Sequence, residues 1–238
     1  MKVKVSKNQK KTVCGSILPT KRLTLTDLVN DYIKPGGKRE WRRAYEQCLT
    51  LKKGAPVNTL NLPNDIVTIC TYGLHFDYKR NLFVPMEGHQ RRIAGTLPEI
   101  IIELNHRNVL SMKFKSFEEL FDFITDVANT VRTKHTNLKF GQLANFDLAY
   151  RFAAAIPVPM PQDFVYFQAG AFDGIKNLFM NAKMPLPPKA RKGVANYTIP
   201  YKDLISIPQF APLANLTAGE IEDFCCINST MLLTITLP

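Results

Sequence analysis

The chain has no apolar run long enough to span a bilayer. The longest candidates, residues 100–104 and 231–237, fall far short of the roughly 18 residues a crossing needs. The opening MKVKVSKNQKK has no apolar stretch, so a secretory signal is not expected. Cysteine is sparse and odd in number. Cys14, Cys48, Cys70, Cys225 and Cys226 form no C-x-x-C pair and no Cys/His cluster at zinc spacing, which argues against a disulfide framework or a structural zinc site. Reduced thiols are expected, several of them buried, with the vicinal Cys225 and Cys226 read as packing residues. Walker, Rossmann, G-x-S-x-G and H-E-x-x-H patterns are all missing, and the four histidines are far apart. No cofactor and no metal is expected. A cytoplasmic protein without a membrane partner fits these absences.

Acid is what the first 53 residues lack. They hold 14 Lys and Arg against Asp27, Asp31, Glu40 and Glu46, a net of +10 out of +11 for the whole chain. The other 185 residues carry 17 basic and 16 acidic groups. A nearly neutral body with a basic N-terminal region points to a polyanionic partner: nucleic acid, an anionic membrane surface or an acidic protein. Hydrophobic residues make up 45% of the sequence, enough for a real core.

Along the chain, residues 1–22 read as a mobile basic arm. Thr26 is a candidate cap for a short helix through Ile33, and Pro35-Gly36-Gly37 breaks the chain. Residues 38–53 read as a helix with Trp41, Ala44, Tyr45, Cys48 and Leu49 on one face and a basic outer face. Residues 55–87 look irregular, with a strand expected at 66–72. Helix is expected after Gly88, broken or restarted by Pro98. Residues 116–131 give the clearest helix: Ser116 and Glu119 make a capping box, and Phe117, Leu120, Phe121, Ile124, Val127, Ala128 and Val131 make a broad apolar stripe. Another helix is expected over 143–155, a short apolar run at 164–167, and a helix over 170–181. A proline-rich excursion follows over 184–212. Thr217 and Glu220 make a second capping box ahead of a last helix. The expected fold is mainly α, with a few short strands. Two parts are expected: a basic N-terminal arm and helix over 1–54, and a helical core over 55–238.

Residues 116–155 read as helix, short Gly-containing turn, helix. A hairpin of this kind can present backbone N–H groups and a helix dipole to one phosphate, where a glycine lets the phosphate approach. Such contact reads no bases and weakens with salt. Here the turn is Asn137-Leu138-Lys139-Phe140-Gly141-Gln142. It keeps one of the two glycines of the strong motif, with Lys139 where the other would stand. Asp147 and Arg151 have ion-pair spacing on the second helix.

These residues carry a resemblance. Gly141-x-Leu143-x-x-x-Asp147-x-Ala149-x-Arg151 resembles the G-x-L-x-x-Y-D-x-A-x-R-I-G signature of a little-characterised group of bacterial proteins with a helix-hairpin-helix-like segment. His89-Gln90-Arg91-Arg92-Ile93 resembles its H-Q-x-R-I element. Val165-Tyr166-Phe167-Gln168-Ala169-Gly170-Ala171-x-x-Gly174-Ile175-Lys176 resembles its V-Y-L-x-x-G-x-x-x-G-A-K element. Leu216-Thr217-x-x-x-Ile221-Glu222-Asp223-Phe224-Cys225-Cys226-Ile227 resembles its closing L-x-x-x-x-L-E-D-F-L-C-I. The likeness covers about residues 88–227 and departs at Phe146 and at Phe152-Ala153. It implies a helical fold and DNA contact, and brings no established activity.

The residues expected to meet nucleic acid are Lys38, Arg39, Arg42, Arg43, Lys134, Lys139, Gly141 and Gln142. No catalytic residue is assigned. One alternative is a glycosylase- or lyase-like enzyme acting on a nucleotide or nucleic acid, with His89, Arg91, Asp147 and Arg151 as its candidate pocket. The other is an interaction or inhibitor protein of viral or mobile-element origin whose basic arm docks on an acidic protein.

Overall fold

The computed structural model describes residues 22–40, 66–77, 82–85, 96–137, 142–156, 158–194 and 196–237. Residues 1–21 of the expected arm, the expected helix beyond residue 40, the element at 89–93 and residues 138–141 of the expected turn lie outside these. What is described is mostly helical, with two small antiparallel ribbons.

The chain enters through α1 (Leu25–Ile33). Thr24 caps it, in place of the expected Thr26: Asp27 N–H donates to Thr24 Oγ1 at 3.1 Å, and Asp27 accepts from Thr24 N at 2.9 Å. Starting the helix at Leu25 puts Leu25, Leu28, Val29 and Tyr32 on one buried face.

Residues 66–72 form a helix, α2 (Ile66–Tyr72), where the β-branched run suggests a strand. Five consecutive residues, Val67 to Thr71, are buried, so the segment is enclosed all round. It packs against two other helices, and that contact overrides a weak local preference for strand. A ribbon follows, β1 (Leu74–Asp77) with β2 (Leu82–Pro85). Helix α3 (Leu97–His106) has Pro98 as its second residue, where a missing N–H costs nothing in a first turn.

Helix α4 (Phe117–Lys134) has the expected stripe of seven buried apolar residues. Its cap is half the expected box. Ser116 Oγ accepts from Glu119 N–H, but the Glu119 carboxylate takes Lys115 N–H at 2.7 Å. Helix α5 (Gln142–Ala155) packs along α4. Phe146, Leu148, Ala149, Tyr150, Phe152 and Ala153 bury it on nearly every side. These helices with α2 and α3 enclose the first core.

The ribbon of β3 (Phe164–Phe167) and β4 (Tyr197–Pro200) separates that core from a second one. Val165 pairs with Ile199, Tyr166 with Thr198 and Phe167 with Tyr197. Side chains alternate across a strand, so Tyr166 enters the first core while Val165, Phe167 and Ile199 enter the second. The second core is closed by α1, α6 (Gly170–Asn181), α7 (Tyr201–Ser206), a 3-10 helix at Pro208–Asn215, α8 (Ala218–Ile227) and a 3-10 turn at Met231–Leu233. The proline-rich excursion thus holds one strand and two short helices. Helix α8 starts with the expected Thr217–Glu220 box. A Cβ on Gly174 would lie 2.1 Å from the Cys225 carbonyl oxygen, so glycine is what lets α6 cross α8 this closely.

Candidate nucleic-acid interface

Of the residues expected to meet phosphate, Arg42, Arg43, Lys139 and Gly141 lie outside the described set. Gln142 is the first residue of α5. Lys38 is exposed. Arg39 turns back onto the body: its Nε is 2.7 Å from Glu220 Oε1 and its Nη2 3.2 Å from Oε2. Glu220 also accepts Thr217 N–H at 2.9 Å as the return half of the α8 capping box. Its side chain is only 6% exposed, so the Arg39 charge is matched inside the fold.

Lys134, in the last turn of α4, donates to Glu103 Oε2 at 2.7 Å, and Arg107 Nε donates to Glu103 Oε1 at the same distance. The two cations, Lys134 first, hold the Glu103 carboxyl below the ordinary glutamate range. Arg107 continues to Asp126 and to Thr130 Oγ1, and Asp126 then Glu103 push the guanidinium pKa up. This network fastens α3 to α4.

In the candidate pocket, His89 and Arg91 lie outside the described residues. Asp147 and Arg151 are one turn apart on α5, with Arg151 Nη2 3.9 Å from Asp147 Oδ2. The guanidinium is 6% exposed and donates from Nη1 to the Cys70 carbonyl at 3.1 Å. Gly73, at φ +65°, passes over it, and a Cβ there would sit 2.8 Å from the guanidinium carbon. A permanently charged arginine cannot serve as an acid–base partner. Its geometry ties the end of α2 to α5.

A second polar cluster escaped the sequence. Tyr166 Oη donates to Glu118 Oε1 at 3.0 Å and accepts from Arg191 Nη1 at 2.7 Å. Arg191 Nη2 reaches both Asp122 oxygens, at 3.1 and 3.0 Å. Burial, with the Glu118 charge behind it, pushes the phenol far above its ordinary range. Tyr166 therefore stays protonated at any physiological pH and acts as a hydrogen-bond hub. Its members come from positions 118, 122, 166 and 191, and no local spacing signals them.

Among the described residues no group of His, Cys, Asp and Glu could hold a metal ion, and no helix is long and apolar enough to cross a membrane. Cys70 and Cys225 are buried and Cys226 is exposed, none of them in a disulfide. Burial and the nearby Glu222 charge push the Cys225 thiol up. No protein-family model, curated protein or solved structure matches this chain.

Proposed function

We propose that this protein binds nucleic acid without sequence preference, through phosphate contacts made by its cationic surplus. The supporting observation is where the carboxylates go. Glu103, Glu118, Asp122 and Asp147 are already engaged with partners inside the body, while Asp223 accepts from Tyr32 and Glu220 matches Arg39, one cation of the basic region. The 185 residues after position 53 are +1 in total, so beyond the Glu220–Arg39 pair they offer no net acid against the +10 ahead of them. Residues 22–40 take up little of that surplus, with Arg22, Lys34, Lys38 and Arg39 against Asp27, Asp31 and Glu40. A polyanion that releases counterions on binding is the natural complement. The resemblance to the bacterial helix-hairpin-helix-like group points the same way, and its Gly141 turn would add a positioned phosphate.

The test is fluorescence anisotropy of a labelled duplex. Binding should weaken steeply from 50 to 200 mM salt, by about a thousandfold if on the order of six phosphates are neutralised. Two duplexes of unrelated sequence should bind alike. Affinity at low salt no better than that of a neutral control protein rules the proposal out.

A further inference from the structure

The body is neutral in total but not in distribution. Residues 174–202 contain Lys176, Lys183, Lys189, Arg191, Lys192 and Lys202 and no acidic residue. The structure folds this stretch back on itself. It starts on α6, leaves at Lys183 in a left-handed turn of φ +56°, and returns as a strap to β4. Tyr197 of β4 meets Phe172, near the start of α6, with ring centroids 5.1 Å apart. The strap between Lys183 and Tyr197 therefore leaves the far end of α6 and comes back beside its first turn, meeting α4 at Arg191 on the way.

The strap is fastened at several points. Tyr197 Oη donates to the Pro187 carbonyl, Ala190 N–H to Thr198 O at 2.9 Å, and Arg191 N–H to Thr198 Oγ1 at 2.8 Å. The Arg191 side chain is clipped to Asp122 and Tyr166, and the Lys189 ammonium to the Val194 carbonyl. Pro185, Pro187 and Pro188 stiffen the backbone. Lys192 stands exposed just before Gly193, which turns at φ +81°. Lys176 and Lys183 are exposed too, and none of the three has a carboxylate partner among the described residues. The nearest acids in sequence, Asp173 and Asp203, flank the stretch.

We infer that the α6 edge and the strap form a phosphate-binding ridge for duplex nucleic acid, with Lys176, Lys183 and Lys192 as its contacts. This rests on the proposed function and locates part of it on the body, away from the Gly141 turn. A 12-residue helix is about 18 Å long, a length that spans roughly five phosphates of one duplex strand. Lysines held on a fastened strap lose little freedom on binding, unlike those of a loose tail. Single strands are gripped by stacking on aromatic faces, and every exposed large hydrophobic among the described residues is Leu, Ile or Met.

The experiment compares two triple variants of the full chain carrying the same charge change. One is Lys176→Gln/Lys183→Gln/Lys192→Gln. The other, on exposed positions around α4, is Lys113→Gln/Lys115→Gln/Arg132→Gln. Duplex binding is measured against salt, with thermal melts as a check on folding. The ridge variant should lower the slope of log affinity against log salt by about two to three, and the control should leave it nearly unchanged. Equal losses in both would overturn the ridge while leaving nucleic-acid binding intact. A wild-type chain that binds no duplex would remove both. Poly-L-glutamate competing as well as unlabelled duplex, charge for charge, would assign the ridge to an acidic protein and overturn the duplex assignment.

Discussion

Gly174 and Glu103 show how single residues carry this fold. A side chain at Gly174 would collide with backbone, which cannot rotate away. Gly174→Ala should destabilise the protein by about 2–3 kcal/mol, at the upper end of overpacking costs. At Gly170 the only tight neighbour of the added Cβ would be the Cys226 sulfur, 3.2 Å away on a side chain that can shift, with the Cys226 carbonyl oxygen at an ordinary 3.9 Å. Gly170→Ala should cost clearly less, with both variants measured by urea melts. Glu103 makes a prediction about acid. Its pKa is depressed by Lys134 and Arg107, so the stability it adds is present above the pH where an unfolded-chain glutamate ionises. That stability is lost as pH falls through the lower native value. Glu103→Gln should lower stability at pH 7 by about 1–3 kcal/mol and flatten the stability profile below pH about 4.5. An unchanged acid limb would mean the network contributes nothing.

Between elements, the joint of α1 to α8 repeats this logic. Tyr32 Oη donates to Asp223 at 2.9 Å, and Arg39 pairs with a nearly buried Glu220. Arg39→Met removes the cation and leaves that carboxylate enclosed, so a cost of about 2–4 kcal/mol is expected. Hydrogen exchange should speed up in residues 25–33 before it does in α4. The elements also differ in how far the sequence revealed them. Helix α4 was legible because cap, stripe and period agree over five turns of local sequence. Helix α2 was not, because seven residues rich in Val, Ile and Thr favour a strand until two neighbouring helices enclose them. The N-cap of α1 was misplaced by two residues, since Thr24 and Thr26 look alike locally and only the buried face chooses between them.

Across the whole molecule, the β3–β4 ribbon contributes one face to each core. The two should therefore unfold together. Ile124→Ala in the first core and Leu178→Ala in the second should each cost about 2–5 kcal/mol and shift one common transition by both far-ultraviolet and tyrosine signals. Two separable transitions would show that the ribbon does not couple them.

The sequence by itself determined the charge division, the helix starts at Ser116 and Thr217, and the lack of a membrane-crossing run, because each depends on composition or on residues a turn or two apart. It could also propose the phosphate contacts at Lys38, Arg39 and Lys134. Only the tertiary structure decided which of those charges are already matched, since Arg39 meets Glu220 across 181 positions and Lys134 meets Glu103 across 31. The same holds for the residues that resemble the bacterial signature. Gly174 and Cys225 touch where α6 crosses α8, and Arg151 clamps the end of α2. In this molecule those residues answer first to packing, because burying a glycine crossing or a guanidinium depends on partners that local sequence cannot name.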